Sequence, residues 1–295
     1  MTVREVAPPL RTLVRGLVDY AGLFPPAALP MAEAVANYAS YHRSADAWAL
    51  GRFVVTAARL AEFEAAARDL APAAGEAPWH LSLLVAQPQD GAACTACNAR
   101  WNGRIVIDVI EGKASTPGEV DALVAAMPEG PTLFVELPLD DRLGPCLTRV
   151  KATGALAKIR TGGVVAEAFP AAAQVVGFLR GCHDAGVDFK ATAGLHHPVR
   201  GPYRLTYAPD APVGTMYGYL NVLLAAAAIR AGGSDADATR LLLAEDPANL
   251  ALDGNVVTWA GVHVPVTADV RTFMRGVGSC SFREPVDELL ALPIG

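Results

Sequence analysis

Most apolar runs in this chain are continuous rather than alternating, and they recur between alanine-rich stretches of helical period. The runs are Leu17–Phe24, Phe53–Ala57, His80–Ala86, Arg104–Gly112, Thr132–Leu139, LAKIR (Leu156–Arg160) and DFKATA (Asp188–Ala193). A short run that is apolar on both faces predicts a strand buried on both sides of a parallel sheet. Between the runs the pattern predicts helices over Met31–Arg43, Leu60–Asp69, Gly91–Asn102, from Pro117 onward, over Leu143–Thr153 and over Ala166–Ala185. Two of these helices carry their own punctuation. Thr116, Pro117 and Glu119 have the spacing of a capping box with proline at the first helical position. Gly186 stands where the helix ending at Ala185 needs a left-handed cap.

The last third is less regular. His197–Thr215 is too rich in proline for either element and reads as a long loop. Tyr217–Ala231 and Asp235–Glu245 follow as helices, the first strongly apolar, which suits a large core or a subunit interface in a homo-oligomer. Asn255–Val266 reads as a hairpin or extended insert, Ala268–Arg275 as a helix, Gly276–Phe282 as an eighth strand and REPVDELLAL as the closing helix. Seven β/α alternations fit a closed barrel or a doubly wound sheet, and no GxGxxG follows the first strand, which weighs against a dinucleotide fold. The eighth run favours an α/β fold of the (β/α)8 barrel type. It would form one domain over residues 1–295, with a long loop after strand seven and a small irregular insert before strand eight.

Composition narrows the function classes. The 295 residues are 52% hydrophobic and 18% charged, with a formal net charge of −6 and no basic run, which fits a folded core and argues against a nucleic-acid surface. The longest apolar stretch, Leu220–Ile229, is too short to span a bilayer, and MTVREVAPPL has no signal-peptide core. Five cysteines, an odd number placed on predicted helices and strands, suit reduced thiols and a cytoplasmic location. Cys94 and Cys97 form a lone CxxC and read as helix packing.

Lysine is the unusual residue. Only four of the 24 basic residues are lysines (Lys113, Lys151, Lys158, Lys190), and two of those sit inside apolar strand patterns. A buried ammonium must be paired or must lose its charge, and a lowered pKa is what an amine nucleophile needs. In a barrel, residues at the C-terminal strand ends share one face whatever their separation in sequence. That face would collect Asp19 and Tyr20, Asp108 with Glu111, Glu136, Lys158 with Arg160, Lys190 with His196 and His197, and Ser279–Ser281. Mouth-closing ion pairs, such as Lys158 with Glu136, would be the plain structural account of any one of them. The density of the set marks a site.

AKIRTGG, followed about thirty residues later by DFKATAGLHHPVR, resembles the paired lysine-bearing strands of class I aldolases of the deoxyribose-phosphate aldolase type. IDVIEG is similar to that family's strand with a catalytic aspartate. The similarity covers about a third of the chain, Arg104 to Arg200. It implies a Schiff base on Lys158, a pKa lowered by repulsion from Lys190 and proton transfer by Asp108; Glu136 on the same face is a second candidate for proton transfer, and no cofactor is expected. Arg160 and Thr161 stand where the family has small hydroxyl residues, and LHHPVR stands in place of a glycine-rich phosphate turn. On this reading Asp19, Arg160, His196, His197, Arg200, Ser279 and Ser281 bind a small, carbonyl-containing, anionic substrate. Two other readings stay open. One is a metal-assisted hydrolase or isomerase using His196 or His197 with a carboxylate. The other is a non-catalytic barrel holding a small anion through Arg160, Arg200 and the GSCS turn.

Overall fold

The continuous apolar runs become the staves of a closed parallel barrel, seen in a computed structural model that describes residues 6–293. Helix α1 (Pro8–Val14) packs ahead of β1 (Val18–Tyr20). Then come α2 (Met31–His42), β2 (Leu50–Thr56), α3 (Leu60–Ala67), β3 (Trp79–Leu84), α4 (Ala92–Trp101), β4 (Ile105–Lys113), α5 (Pro117–Ala126), β5 (Thr132–Glu136), α6 (Leu143–Thr153), β6 (Leu156–Arg160), α7 (Ala172–Ala185) and β7 (Phe189–Thr192). A hairpin, β8 (Gly201–Arg204) with β9 (Val213–Met216), leads to α8 (Tyr219–Arg230) and α9 (Asp235–Leu243). A three-stranded antiparallel sheet follows: β10 (Ala251–Asp253), β11 (Val256–Trp259) and β12 (Val262–Pro265). Helix α10 (Ala268–Phe273), β13 (Met274–Ser279) and α11 (Arg283–Ala291) complete the chain. The barrel order is β1-β13-β7-β6-β5-β4-β3-β2, so the eighth stave closes between the first and the seventh.

The differences from the pattern have local causes. Pro170 ends the early part of the predicted helix over Ala166–Ala185, leaving a single 3-10 turn at Ala166–Ala168 before α7. The proline-rich stretch after β7 pairs with itself as the β8–β9 hairpin instead of remaining a loop, and the insert before the eighth stave gains a third strand. Thr116 caps α5 by accepting from the Glu119 N–H, while the Glu119 carboxylate reaches Ser115 N–H, one residue earlier than a capping box requires. Gly186 adopts the expected left-handed cap, at φ +61°.

Helix α8 is buried from Tyr219 through Ile229, enclosed by α7, α9, α10 and β12. Its apolar surface therefore belongs to this chain's own core. The one polar residue inside it, Asn221, has every hydrogen-bonding group used. Its amide donates to the carbonyls of Leu241 and Ala244 (2.7 and 2.8 Å) and accepts from Arg200 N–H (2.7 Å), tying α8 to the end of α9 and to the chain after β7. Among the described residues no helix is long and apolar enough to cross a membrane.

One irregularity in the barrel determines which carboxylates face inward. Leu81 of β3 lies opposite Ile107, but Ser82 lies opposite Val109, so Asp108 is an extra residue in β4. Such a bulge resets the in-out alternation of a strand. Asp108 and Glu111, three residues apart, therefore both point into the barrel, at different heights.

Candidate active site

Side chains from β1, β3, β4, β5, β6 and β7 meet in the barrel interior as one ionic chain. Lys190 Nζ lies 2.6 Å from Asp19 Oδ2 and 2.6 Å from Glu111 Oε1. Lys158 Nζ lies 2.9 Å from Glu111 Oε2 and 3.1 Å from Glu136 Oε2. Ser82 donates to Glu111 Oε1 at 2.5 Å, and Asp19 Oδ1 accepts from Arg52 N–H at 2.7 Å. Lys190 also lies over the Phe134 ring, 5.5 Å from its centroid. The strand registers make this assembly possible. Glu136 is opposite Lys158, Lys158 is opposite Lys190, and the interior positions of β13 nearest to Asp19 are Gly276 and Gly278. A Cβ on that stave would lie 3.4 Å from Asp19 Oδ2 at Gly276 and 3.2 Å from Thr192 at Gly278.

Glu111 is the centre of the chain. It is 2% exposed and touches both ammonium groups, one with each oxygen. Burial alone would raise its pKa, but Lys158 and Lys190 together hold it well below the usual carboxylate range. Burial likewise opposes the charged form of each lysine. The carboxylates outweigh it, Glu111 and Glu136 for Lys158 and Asp19 and Glu111 for Lys190, and both amines are pushed above their ordinary value. This corrects the expectation that Lys190 lowers the pKa of Lys158 by repulsion. A shared carboxylate lies between the two ammoniums, and attraction prevails.

A cavity of about 220 Å³ opens above this chain at the C-terminal ends of the strands. Lys158, Lys190 and Glu111 form its floor, and Val54, Leu84, Thr192, Gly278, His196 and Cys280 form its walls. Phe24–Pro26, Arg160, Gly163–Val164 and Ala193–Gly194 frame the mouth. The small residues after the two lysines let the β6 and β7 loops meet. A Cβ at Gly162 or Gly194 would come within 2.5 or 2.9 Å of the Phe169 ring. Lys158 is the more open of the two floor amines, 7% exposed against 1% for Lys190.

The remaining candidates separate. His196 is buried on the cavity wall, its Nδ1 3.2 Å from Ser279 Oγ and 3.4 Å from Cys280 Sγ. Burial, with His197 adding to it, lowers its pKa to about 4, so it is neutral at pH 7. Burial raises the Cys280 thiol to about 11. Tyr207, from the turn of the hairpin, lies 3.6 Å from that sulfur and donates to Glu284 at 2.9 Å. His197 points elsewhere, stacked on Tyr203 and paired with Glu288 at 2.8 Å. Arg200 is not at the cavity; its guanidinium pairs with Glu245. Ser281 uses its hydroxyl to accept from Glu284 N–H at the start of α11, and Ser279 accepts from Ser281 N–H, so the GSCS turn is occupied by its own chain. Asp108 is also misplaced as a shuttle. It lies at the opposite, N-terminal opening of the barrel, where it holds Arg52 with two bonds (2.8 and 2.9 Å) and His80 at 3.1 Å. Burial would raise its pKa, but the hydrogen bonds from His80 and Arg52 bring it down to about 2. Among the described residues no group of three or more His, Cys, Asp and Glu side chains comes together as a metal site; His196 meets Ser279 and Cys280, and His197 meets Glu288 away from it.

The sequence pointed to Glu111 only as a neighbour of Asp108, and it gave no sign of Ser82. The bulge explains the first omission, because strict alternation from Asp108 turns Glu111 outward. Fold and site together define a (β/α)8 barrel with a lysine–carboxylate cluster beneath a small cavity at its C-terminal face. Compared with family models, with curated proteins and with solved structures, the chain matches none.

Proposed function

We propose that the protein is a lyase of the Schiff-base, aldolase-like kind, acting on a small carbonyl compound through Lys158. The observation that carries this reading is the position of Lys158. It is the more open amine at the cavity floor, with one buried carboxylate and one half-buried carboxylate in contact. At rest it is an ammonium, so attack needs one proton to leave. Glu136 is the acceptor, since Glu111 is held in its ionised form by Ser82, Lys190 and Lys158 together. The free amine then adds to the carbonyl carbon, and Glu136 returns its proton to the departing hydroxyl, so that water leaves and an iminium forms. The iminium carries the same single positive charge as the ammonium it replaces. The carboxylates that stabilise one therefore stabilise the other, without reorganisation. The iminium in turn accepts the electron pair when the neighbouring carbon–carbon bond breaks, or supplies the enamine when it forms. Lys190 is a positioning residue here, because both of its carboxylate contacts, Asp19 and Glu111, hold it in place and it is the less exposed amine of the floor.

Borohydride reduction in the presence of a panel of small aldehydes and ketones, followed by intact mass, tests this directly. A mass increase equal to the reduced carbonyl, present in the wild type and absent in Lys158→Met, is the expected result. No adduct with any carbonyl would leave the ionic chain as a structural element.

A further inference from the structure

The cation at the cavity mouth differs from those on the floor. The ion pairs of the cavity join Lys158 and Lys190 to Asp19, Glu111 and Glu136, and among the described residues none reaches Arg160. Arg160 lies on the same interior face of β6 as Lys158, two residues further along, and it lines the same cavity. Alternate residues on a strand are about 6.5 Å apart along its axis. A ligand meeting both cations therefore needs its charged end only a few bonds from its carbonyl.

Charge selects among anions. The ionic chain at and beneath the floor has three carboxylates, Asp19, Glu111 and Glu136, against two ammoniums, and so a formal net charge of −1 that Arg160 balances. A carboxylate brings a single negative charge in a planar fork that matches a guanidinium. Arg160 itself is exposed, but a phosphate dianion would bring a second charge above an anionic floor whose own charges are buried and little screened. The cavity, about 220 Å³, also suits a molecule of few heavy atoms.

We propose that Arg160 anchors a substrate carboxylate and that the carbonyl compound received by Lys158 is a short-chain oxo acid. The carbonyl half of this statement rests on the lysine reading above; the carboxylate contact does not. Arg200, paired with Glu245 outside the cavity, has no part in it.

Two measurements test the proposal. In the first, borohydride trapping is titrated with 2-oxobutanoate, 4-oxopentanoate, uncharged 2-butanone and a phosphorylated aldehyde, on wild type and on Arg160→Gln. One oxo acid should half-saturate the wild type at a concentration at least about ten-fold below that of 2-butanone, as expected for a charge-assisted bidentate pair. Arg160→Gln should remove that advantage and leave 2-butanone unchanged. Equal half-saturation of the oxo acids in wild type and Arg160→Gln overturns the proposal. Tighter, Arg160-dependent trapping of the phosphorylated aldehyde overturns it too. In the second, calorimetry follows butanoate, which has no carbonyl, binding to Lys158→Met with and without Arg160→Gln. Arg160-dependent binding there, with no trapping in the wild type, would defeat the lysine reading and keep the carboxylate site. Butanoate binding that is absent, or indifferent to Arg160, defeats the carboxylate site.

Discussion

The barrel interior has an ionic cluster at each end, and the two behave differently. At the N-terminal opening, Asp108 is satisfied by Arg52 and His80, and the group is about a third exposed to water. At the C-terminal end, Glu111, Asp19, Lys190 and Lys158 are nearly dry, and each carboxylate and amine serves more than one partner or faces a cavity. The first cluster is a closed arrangement of matched charges. The second holds two ammoniums with a shared carboxylate and leaves Lys158, the more open of them, facing a cavity. Inward-pointing charge alone does not mark a site. Charge that is buried, shared and adjacent to a cavity does.

The comparison can be broken most easily at Glu111. Glu111→Gln leaves two buried ammoniums without their common counter-charge, and the expected cost is about 3–5 kcal/mol of stability, read from urea unfolding. An equal cost from Asp108→Asn would erase the distinction between the two ends. Next is the alkaline limb. Lys158 and Lys190 have folded pKa values above their ordinary value, so their contribution is fully present below it and is lost as pH rises through the folded pKa. Melting temperature should therefore fall at high pH, and Glu111→Gln should move that fall to lower pH. An alkaline limb that does not move would show that Glu111 is not what raises the amines.

A smaller acid-side effect belongs to His196. Its folded pKa, about 4, is below the unfolded value, so its contribution is present above about 6.5 and is lost as pH falls toward 4. His196→Asn should flatten the stability profile across that window, and an unchanged profile would remove His196 as its source. The smallest effect is expected at the other end of the barrel. Asp108→Asn should cost no more than about 1 kcal/mol, as partly exposed ion pairs do, and should leave borohydride adduct formation intact.

Sequence pattern carried the architecture well because a doubly buried strand writes itself as an uninterrupted apolar run, and seven such runs alternate with helices here. The eighth, Met274–Ser279, was displaced by three residues because MRGVGS is glycine-rich and only weakly strand-like. The site was legible where lysine is rare, at Lys158 and Lys190, and where registry follows from simple alternation, at Glu136 and Arg160. It was illegible where alternation fails. Asp108 was expected at the height where Glu111 stands because one inserted residue in β4 cannot be seen in a single sequence. Arg200, His197 and Ser281 were drawn toward the site by their nearness in sequence to strand ends. The partners of Arg200 and His197, Glu245 and Glu288, come from segments that pattern alone does not bring near, whereas Ser281 accepts from Glu284 N–H, only three residues on.

The glycines of β13 have a consequence for the cavity. Charge is supplied by β1, β4, β5, β6 and β7, whereas Gly276 and Gly278 contribute no side chain. A Cβ at position 278 would already sit 3.2 Å from the Thr192 side chain, at the cavity wall. At Gly278, cavity size is thus set by a stave that carries none of the cluster's charges. A side chain introduced at position 278 would narrow the cavity and leave every lysine and carboxylate of the ionic chain unchanged.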